Sequence, residues 1–139
     1  MLKIDNFHKI IIANWKLNGS SAFVERYLNK IRFDSMNDEH KCIIICPPVS
    51  LINQIKSKNL FIGAQDCSIY NEGAYTGEIS TKILKDIGCC FCIVGHSERR
   101  NLFFENNEII LQKIINCLDE HIVPILCIGE NLEQKQQNL

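Results

Sequence analysis

Residues 90–100 read Cys-Phe-Cys-Ile-Val-Gly-His-Ser-Glu-Arg-Arg, an unbroken apolar run followed at once by polar side chains. The apolar part, Cys90–Val94, is as long as a buried strand and does not alternate between apolar and polar residues. Runs of this kind are typical of strands that are covered on both faces, as in parallel sheets. The segment therefore predicts a buried strand that ends in a polar loop.

Further apolar runs of similar length and composition occur on both sides of this one. They are Lys9–Ala13 (KIIIA), Lys41–Cys46 (KCIIIC), Leu60–Ala64 (LFIGA) and Val123–Ile128 (VPILCI). The segments between the runs carry helical periodicity or helix-end signals. The predicted helices are Ser20–Ile31, Pro48–Lys56, Ser80–Ile87, Asn106–Asp119 and one that opens near Asn131.

Strands that alternate with helices predict right-handed crossovers and a parallel α/β sheet in a single domain spanning residues 1–139. No linker or low-complexity segment interrupts the pattern. The pattern alone leaves two architectures open, an open doubly wound sheet and part of a barrel.

The composition excludes several classes of protein. Hydrophobic residues make up 46% of the chain, charged residues 22%, and the formal net charge is -1. This balance argues against a nucleic-acid-binding tail or a basic membrane patch, and no apolar run approaches the roughly 20 residues of a membrane span. Without a glycine-rich phosphate loop, nucleotide binding has no support, and no cofactor is expected.

The eight cysteines raise the question of a secreted disulfide scaffold or a zinc site. The start of the chain, Met1–Asp5, does not resemble a signal peptide, and most of the cysteines lie inside apolar runs, where free thiols behave as small core residues. Cys89, Cys90 and Cys92 do not have the ligand spacing of a zinc site. We therefore expect a reduced, cytoplasmic protein without a metal.

Polar residues cluster immediately after four of the runs. They are Asn14-Trp15-Lys16, Gln65-Asp66, Gly95–Arg100 and Gly129-Glu130. In parallel α/β folds the carboxyl ends of the strands form the edge where ligands bind, so a lysine, a histidine and several carboxylates would meet there. The same residues could equally serve as helix caps and loop salt bridges, and the residues alone leave both interpretations open.

Four stretches, in order and at suitable spacing, resemble the triosephosphate isomerase family. They are Ala13–Gly19 (ANWKLNG), Gly63–Asp66 (GAQD) with Gly73–Ser80 (GAYTGEIS), Ile93–Arg100 (IVGHSERR) and Pro124–Glu130 (PILCIGE). The resemblance covers nearly the whole chain. It implies a partial TIM (β/α)8 barrel with parallel strands and outer helices, of which strands 1–5 are present.

The family's complete barrel is usually about 250 residues long. The resemblance therefore implies an incomplete domain in which strands 6–8, with the catalytic glutamate of strand six, the lid loop and the phosphate-binding loops, have no counterpart among residues 1–139. One position departs from the family pattern, because Phe104 stands where a glycine is usual.

The resemblance also implies an activity and roles for individual residues. The family interconverts dihydroxyacetone phosphate and glyceraldehyde 3-phosphate in glycolysis and gluconeogenesis. Asn14 and Lys16 would contact this triose phosphate substrate, with Lys16 also catalytic because it neutralises developing negative charge. His96 would be the electrophile that, as a neutral imidazole, polarises the substrate carbonyl.

Supporting and interface residues are implied in the same way. Ser97 and Glu98 would lie behind the lysine and histidine and orient them. The loop 71–79, with Thr76, Gly77 and Glu78 at its tip, would insert into a second copy of the chain to form a homodimer.

Two consequences follow for the isolated chain. It is expected to have little or no isomerase activity, because no residue is placed to take the proton. The first and fifth strands would also be left as sheet edges, which favour pairing with another chain. The chain is then a truncated copy, a half that requires a separate C-terminal half-barrel chain, or a non-catalytic interaction protein.

Overall fold

Five parallel strands form the sheet, in the same order in space as in sequence. They are β1 (Lys9–Asn14), β2 (Lys41–Cys46), β3 (Phe61–Ala64), β4 (Phe91–Val94) and β5 (Val123–Leu126). The structure is a computed structural model that describes residues 4–31, 41–57, 60–130 and 132–137. All five predicted strands are confirmed, although the last ends at Leu126, so that Cys127 lies beyond it.

Both faces of β2 are buried, which explains why its sequence does not alternate. Cys42, Ile44 and Cys46 point into one apolar cluster. Ile45 points into another, which is built around Trp15 on the opposite face of the sheet. The two-sided burial predicted from the unbroken apolar run is therefore observed.

The same division holds for β4. Phe91 and Ile93 pack in the cluster that includes the β2 side chains. Cys92 and Val94 pack on the other face, in a cluster that includes Leu84 and other residues of the outer helices. Full burial of an aliphatic or aromatic side chain contributes roughly 1.5–3 kcal/mol, so these two layers hold the strand from both sides.

The helices lie between the strands and cover one face of the sheet. They are α1 (Ser21–Lys30), α2 (Thr81–Asp86), α3 (Ser97–Leu102), α4 (Asn107–Asp119) and α5 (Leu132–Gln137). The side-chain oxygens of Ser20, Ser80 and Asn106 accept a backbone hydrogen bond at the starts of α1, α2 and α4, which fixes where these helices begin.

Three details differ from the sequence prediction. The segment predicted as a helix from Pro48 forms only a short 3₁₀ helix, Val49–Gln54. Helix α3, from Ser97 to Leu102, is not among the predicted helices. A 3₁₀ helix at Ile4–Asn6 was not predicted. The predicted start of the last helix, Asn131, lies outside the described residues.

The sheet is half of a barrel, with β1 and β5 at its two edges. Among the described residues, each of these strands pairs with a neighbour on one side only. On β1, Ile10, Ile11 and Ile12 are between 42% and 52% exposed, and on β5 Leu126 is 46% exposed. Large apolar side chains at an open sheet edge favour association with further strands.

Within the described part of the chain, every helix is too short or too polar to cross a bilayer.

Phe104 occupies a position where the resemblance described above leads us to expect glycine. Its φ is +57°, in the left-handed region, and its side chain is 83% exposed. A residue with a Cβ is strained there by roughly 1–2 kcal/mol, whereas glycine is not. The backbone at this point therefore suits glycine better than phenylalanine.

We predict that Phe104→Gly stabilises the chain by about 0.5–1 kcal/mol, which is the relieved strain less the extra entropy of glycine in the unfolded chain. Urea unfolding measures this change. The control is Phe104→Ala, which removes the exposed ring but retains a Cβ at positive φ, and is expected to gain almost nothing. Equal stability of the glycine and alanine variants would contradict the explanation.

Candidate active site

A cavity of about 740 Å³ opens where the strands end. Its walls come from the segments that follow four different strands, β1 to β4. The polar residues among them are Asn14, Lys16, Asn18, Gln65, Asp66, Ser68, Glu78, His96, Glu98 and Arg99. The side chains that were singled out after β1, β3 and β4 are therefore gathered at one rim, whereas Glu130, which follows β5, is not among the described residues that line the cavity.

Lys16 is held in an unusual backbone conformation. Its φ is +53°, and its N–H donates to Asn14 Oδ1 at 2.9 Å. Its carbonyl accepts from Gln65 Nε2 at 2.9 Å, and the same amide donates to the Cys46 carbonyl at 2.9 Å. Gln65 thus ties the ends of three strands together and fixes a residue whose backbone would otherwise avoid this conformation.

The side chain of Lys16 crosses the rim to the first turn of α3. Its Nζ lies 2.7 Å from Glu98 Oε1, and both side chains are about half exposed to the cavity. Hydrogen bonding to this ammonium lowers the pKa of Glu98. The ionised form of Glu98 is therefore favoured, and the contact links the segments that follow β1 and β4 across the opening.

His96 caps α3 and is oriented by the same turn. The backbone N–H of Glu98 donates to His96 Nδ1 at 3.2 Å. A ring nitrogen that accepts a hydrogen bond carries no proton, so the hydrogen of the neutral imidazole lies on Nε2. Glu98 Oε2 lies 3.4 Å from the same Nδ1. The backbone nitrogen is the closer partner, at 3.2 Å, and we assign the tautomer from its hydrogen bond.

Gly95 makes the turn that leads into His96. Its φ is +70°, and a Cβ there would come within 3.0 Å of the Arg100 guanidinium and 3.2 Å of the Ile110 side chain. The Arg100 Nε donates to the Gly95 carbonyl at 2.8 Å. Only glycine combines this conformation with such close packing, and the turn places His96 at the rim.

A buried ion network lies beneath the cavity. Lys113 of α4 is 4% exposed, and its Nζ contacts Asp66 Oδ1 at 2.7 Å and Glu105 Oε1 at 2.6 Å. Arg99 Nε contacts the same two carboxylates, at 2.8 Å from Asp66 Oδ2. Burial raises the pKa of Asp66 to about 6, although the Lys113 and Arg99 cations lower it.

The remaining predicted residues lie in different places. Ser97 is exposed at the first position of α3 and is not among the described residues that line the cavity. Thr76, Gly77 and Glu78 are exposed on the loop before α2, and only Gly77 and Glu78 of these three reach the cavity. Asn14 lines the cavity and supports the backbone of Lys16.

Sequence reasoning placed Gln65 after a strand without a specific role, and it placed Lys113 only within the predicted helix Asn106–Asp119. The available signal was that Lys113 falls among the apolar residues Ile110, Ile114 and Cys117 of that helix, because a buried lysine requires a carboxylate partner. The sequence also gave no sign that Cys92 would lie beside Cys67 and Cys117, whose sulfur atoms are all within 4.8 Å of one another.

The fold is half of a (β/α)8 barrel. A lysine, a histidine and their supporting carboxylate lie at the carboxyl ends of its strands, which is where TIM barrels carry their active sites. The chain is therefore a partial TIM-barrel protein with a candidate active site. The fold matches the crystal structure of triosephosphate isomerase from Bartonella henselae with a TM-score of 0.84 and 32% identity, over 93% of this chain and 55% of that one.

Sequence comparison agrees. The family model for triosephosphate isomerase matches residues 9–139. Triosephosphate isomerase of Aquifex aeolicus is 39% identical over 135 residues, which are 94% of this chain and 55% of the relative. That of Methylococcus capsulatus is 42% identical over 132 residues, covering 92% and 52%. The chain belongs to the triosephosphate isomerase family and spans about half the length of these relatives.

We predict that Lys113→Met destabilises the chain by about 3–5 kcal/mol near pH 8, because it leaves buried carboxylates without their ammonium partner. The loss should shrink near pH 5. The folded-state pKa of Asp66 already exceeds its unfolded value, and it rises further without Lys113. The folded variant then binds more protons than the unfolded chain and becomes more stable as pH falls.

Chemical denaturation at the two pH values measures both effects. The matched control is Lys82→Met, which removes an exposed lysine whose Nζ is 3.7 Å from Glu72. Such surface pairs contribute under about 1 kcal/mol, so little change is expected. Equal losses in the two variants would show that the buried network does not stabilise the fold.

Proposed function

We propose that this chain supplies the substrate-contacting half of a triosephosphate isomerase site. Lys16 neutralises the charge of the triose phosphate, and Asn14 positions Lys16 while contacting the substrate. His96 donates a hydrogen bond to the substrate carbonyl. A base from outside residues 1–139 removes the proton next to the carbonyl, and the enediolate that results is reprotonated on the neighbouring carbon.

The geometry of His96 supports this proposal most directly. Because Nδ1 accepts the Glu98 backbone N–H, the Nε2–H remains free to donate to a substrate oxygen. A donor held in place before the reaction stabilises the negative charge that develops on a carbonyl oxygen without having to reorganise. Since His96 lines the cavity together with Lys16, one small substrate could reach both.

The charge of the cavity supports the proposal that the isolated chain is inactive. Its charged lining residues are two cations, Lys16 and Arg99, and three carboxylates, Asp66, Glu78 and Glu98, which gives a formal charge of -1. Lys16 is already balanced by Glu98. This half alone has no excess positive charge for a phosphate dianion, so tight substrate binding requires the rest of the barrel.

We also propose that the loop 71–79 contacts a second copy of the chain, as in a homodimer. Residues 71–78 are exposed. The loop is nevertheless ordered internally, since the rings of Tyr70 and Tyr75 stack with centroids 3.6 Å apart and the Ser68 N–H donates to the Ile79 carbonyl at 2.9 Å.

The eight free thiols agree with a reducing, cytoplasmic environment.

A complementation assay tests the proposed function. The purified chain is mixed with a recombinant segment that contains the remaining strands of the Methylococcus capsulatus relative. Turnover of glyceraldehyde 3-phosphate is then followed with a coupled dehydrogenase. We expect the chain alone to be inactive, because a missing general base costs about 10²–10⁴-fold before other losses, and the mixture to be active.

Two variants identify which residues carry the complemented activity. His96→Gln is expected to reduce turnover by about 10²–10³-fold, as the loss of a single oxyanion donor does. The control is His121→Asn, which alters an exposed histidine at the opposite end of β5 and suits its φ of +56°. Turnover by the chain alone would overturn the proposed inactivity. A mixture without turnover would favour a non-catalytic interaction protein.

A further inference from the structure

Three buried cysteines from three different elements meet behind the wall of the cavity. Cys67 follows β3, Cys92 belongs to β4 and Cys117 belongs to α4. They are 3%, 0% and 0% exposed. Their sulfur atoms all lie within 4.8 Å of one another, and those of Cys67 and Cys117 are 3.7 Å apart. We call this group the thiol cluster.

The spacing of the thiol cluster suits a metal ion. With metal–sulfur bonds of about 2.3 Å, three sulfur ligands in a plane around one ion are about 4 Å apart. The Cys67–Cys117 separation of 3.7 Å is close to this value and no separation exceeds 4.8 Å, so small side-chain rotations would suffice. A disulfide would need Cys67 and Cys117 to approach to about 2.05 Å and would leave Cys92 without a role.

The polar contacts within the thiol cluster are weak. The sulfur atoms of Cys67 and Cys117 are 3.7 Å apart, the distance of an S–H···S hydrogen bond in which either thiol can be the donor. A thiol is a weak donor and a weak acceptor. A cation at the centre of the cluster would replace this contact with metal–sulfur bonds to all three residues.

The donor set restricts which metal would bind. Thiolates select soft ions such as Cu(I) and Zn²⁺. A structural Zn²⁺ takes four ligands, and no fourth His, Cys, Asp or Glu ligand joins the three sulfur atoms among the described residues. Apolar residues of the same core cluster, among them Ala64, Leu84 and Ile122, pack against the thiols, and the Lys113 carbonyl oxygen lies 4.0 Å from the Cys67 sulfur. Three soft donors without a fourth favour a three-coordinate ion.

We propose that Cys67, Cys92 and Cys117 form a three-sulfur binding site for Cu(I) or a chemically similar soft ion. Binding changes no oxidation state. Each thiol that becomes a thiolate on binding releases one proton to solvent, and the ion remains monovalent. The site is separate from Lys16 and His96 and does not depend on the proposed isomerase function.

The cavity offers a route to the site. Cys67 lines the cavity as well as belonging to the cluster, whereas Cys92 and Cys117 lie deeper in the core. An ion would therefore meet the Cys67 sulfur first and pass inward to the other two. Asp66 precedes Cys67 in the sequence, and the Lys113 carbonyl oxygen lies 4.0 Å from the Cys67 sulfur. Asp66 and Lys113 also pair with each other, so metal binding is expected to perturb the ion network.

The test uses the whole reduced chain without oxygen, with ascorbate-reduced copper as the probe and the Cu(I) chelator bathocuproine disulfonate as competitor. We expect one tightly held Cu(I) per chain, with three sulfur ligands in the copper X-ray absorption spectrum. Two sulfurs, or nitrogen and oxygen ligands, would overturn the proposal. This measurement needs no variant, so it stays decisive if a substituted chain fails to fold.

Two substitutions and a control locate the site. Cys67→Ala and Cys92→Ala should each weaken Cu(I) binding by more than about 100-fold, since groups that only orient a ligand are worth roughly 10–100-fold. The control is Cys89→Ala, which removes a thiol that is 1% exposed and packs in the same core cluster. This variant should bind copper as tightly as the unsubstituted chain. An equal loss of copper affinity in the control would show that copper binds to the thiols in general and not to the thiol cluster.

Discussion

The side-chain amide of Gln65 bonds to two carbonyls at once, those of Lys16 and Cys46, each at 2.9 Å. These bonds fix the end of β3 against the ends of β1 and β2. They hold Lys16 at a φ of +53°, from which its ammonium reaches Glu98 across the cavity. Glu98 in turn presents its backbone N–H to His96. One amide group thus fixes the backbone of Lys16, and the Lys16–Glu98 ion pair joins that lysine to the helical turn that orients His96.

The fold was largely predictable because a parallel sheet leaves a strong local signal. Strands covered on both faces, such as β2 with Ile44 and Ile45 on opposite sides, must be apolar throughout. Helix α3 was harder to predict, because its six residues, SERRNL, carry no apolar stripe. It forms because His96 caps it and its Arg99 and Arg100 side chains find partners on other elements.

The candidate site was predictable in part, and for a similar reason. Lys16 and His96 follow strands directly, so their place at the rim follows from the topology. The supporting contacts join residues far apart in sequence, such as Lys113 with Asp66 or Cys67 with Cys117, and no local pattern encodes such pairs. The two groups also show that the core beneath the rim is more polar than its hydrophobic sequence pattern indicates.

The proposed role of His96 depends on its Nδ1 accepting the Glu98 backbone N–H, which leaves Nε2 as the nitrogen that carries the proton of a neutral ring. Nitrogen-15 NMR of the imidazole rings of the labelled chain, with the His96 signals assigned through the His96→Gln variant, tests this directly. At a pH where the ring is neutral, we expect its proton on Nε2, with Nδ1 unprotonated and hydrogen-bonded. A proton on Nδ1, or rapid averaging between the two nitrogens, would contradict the account.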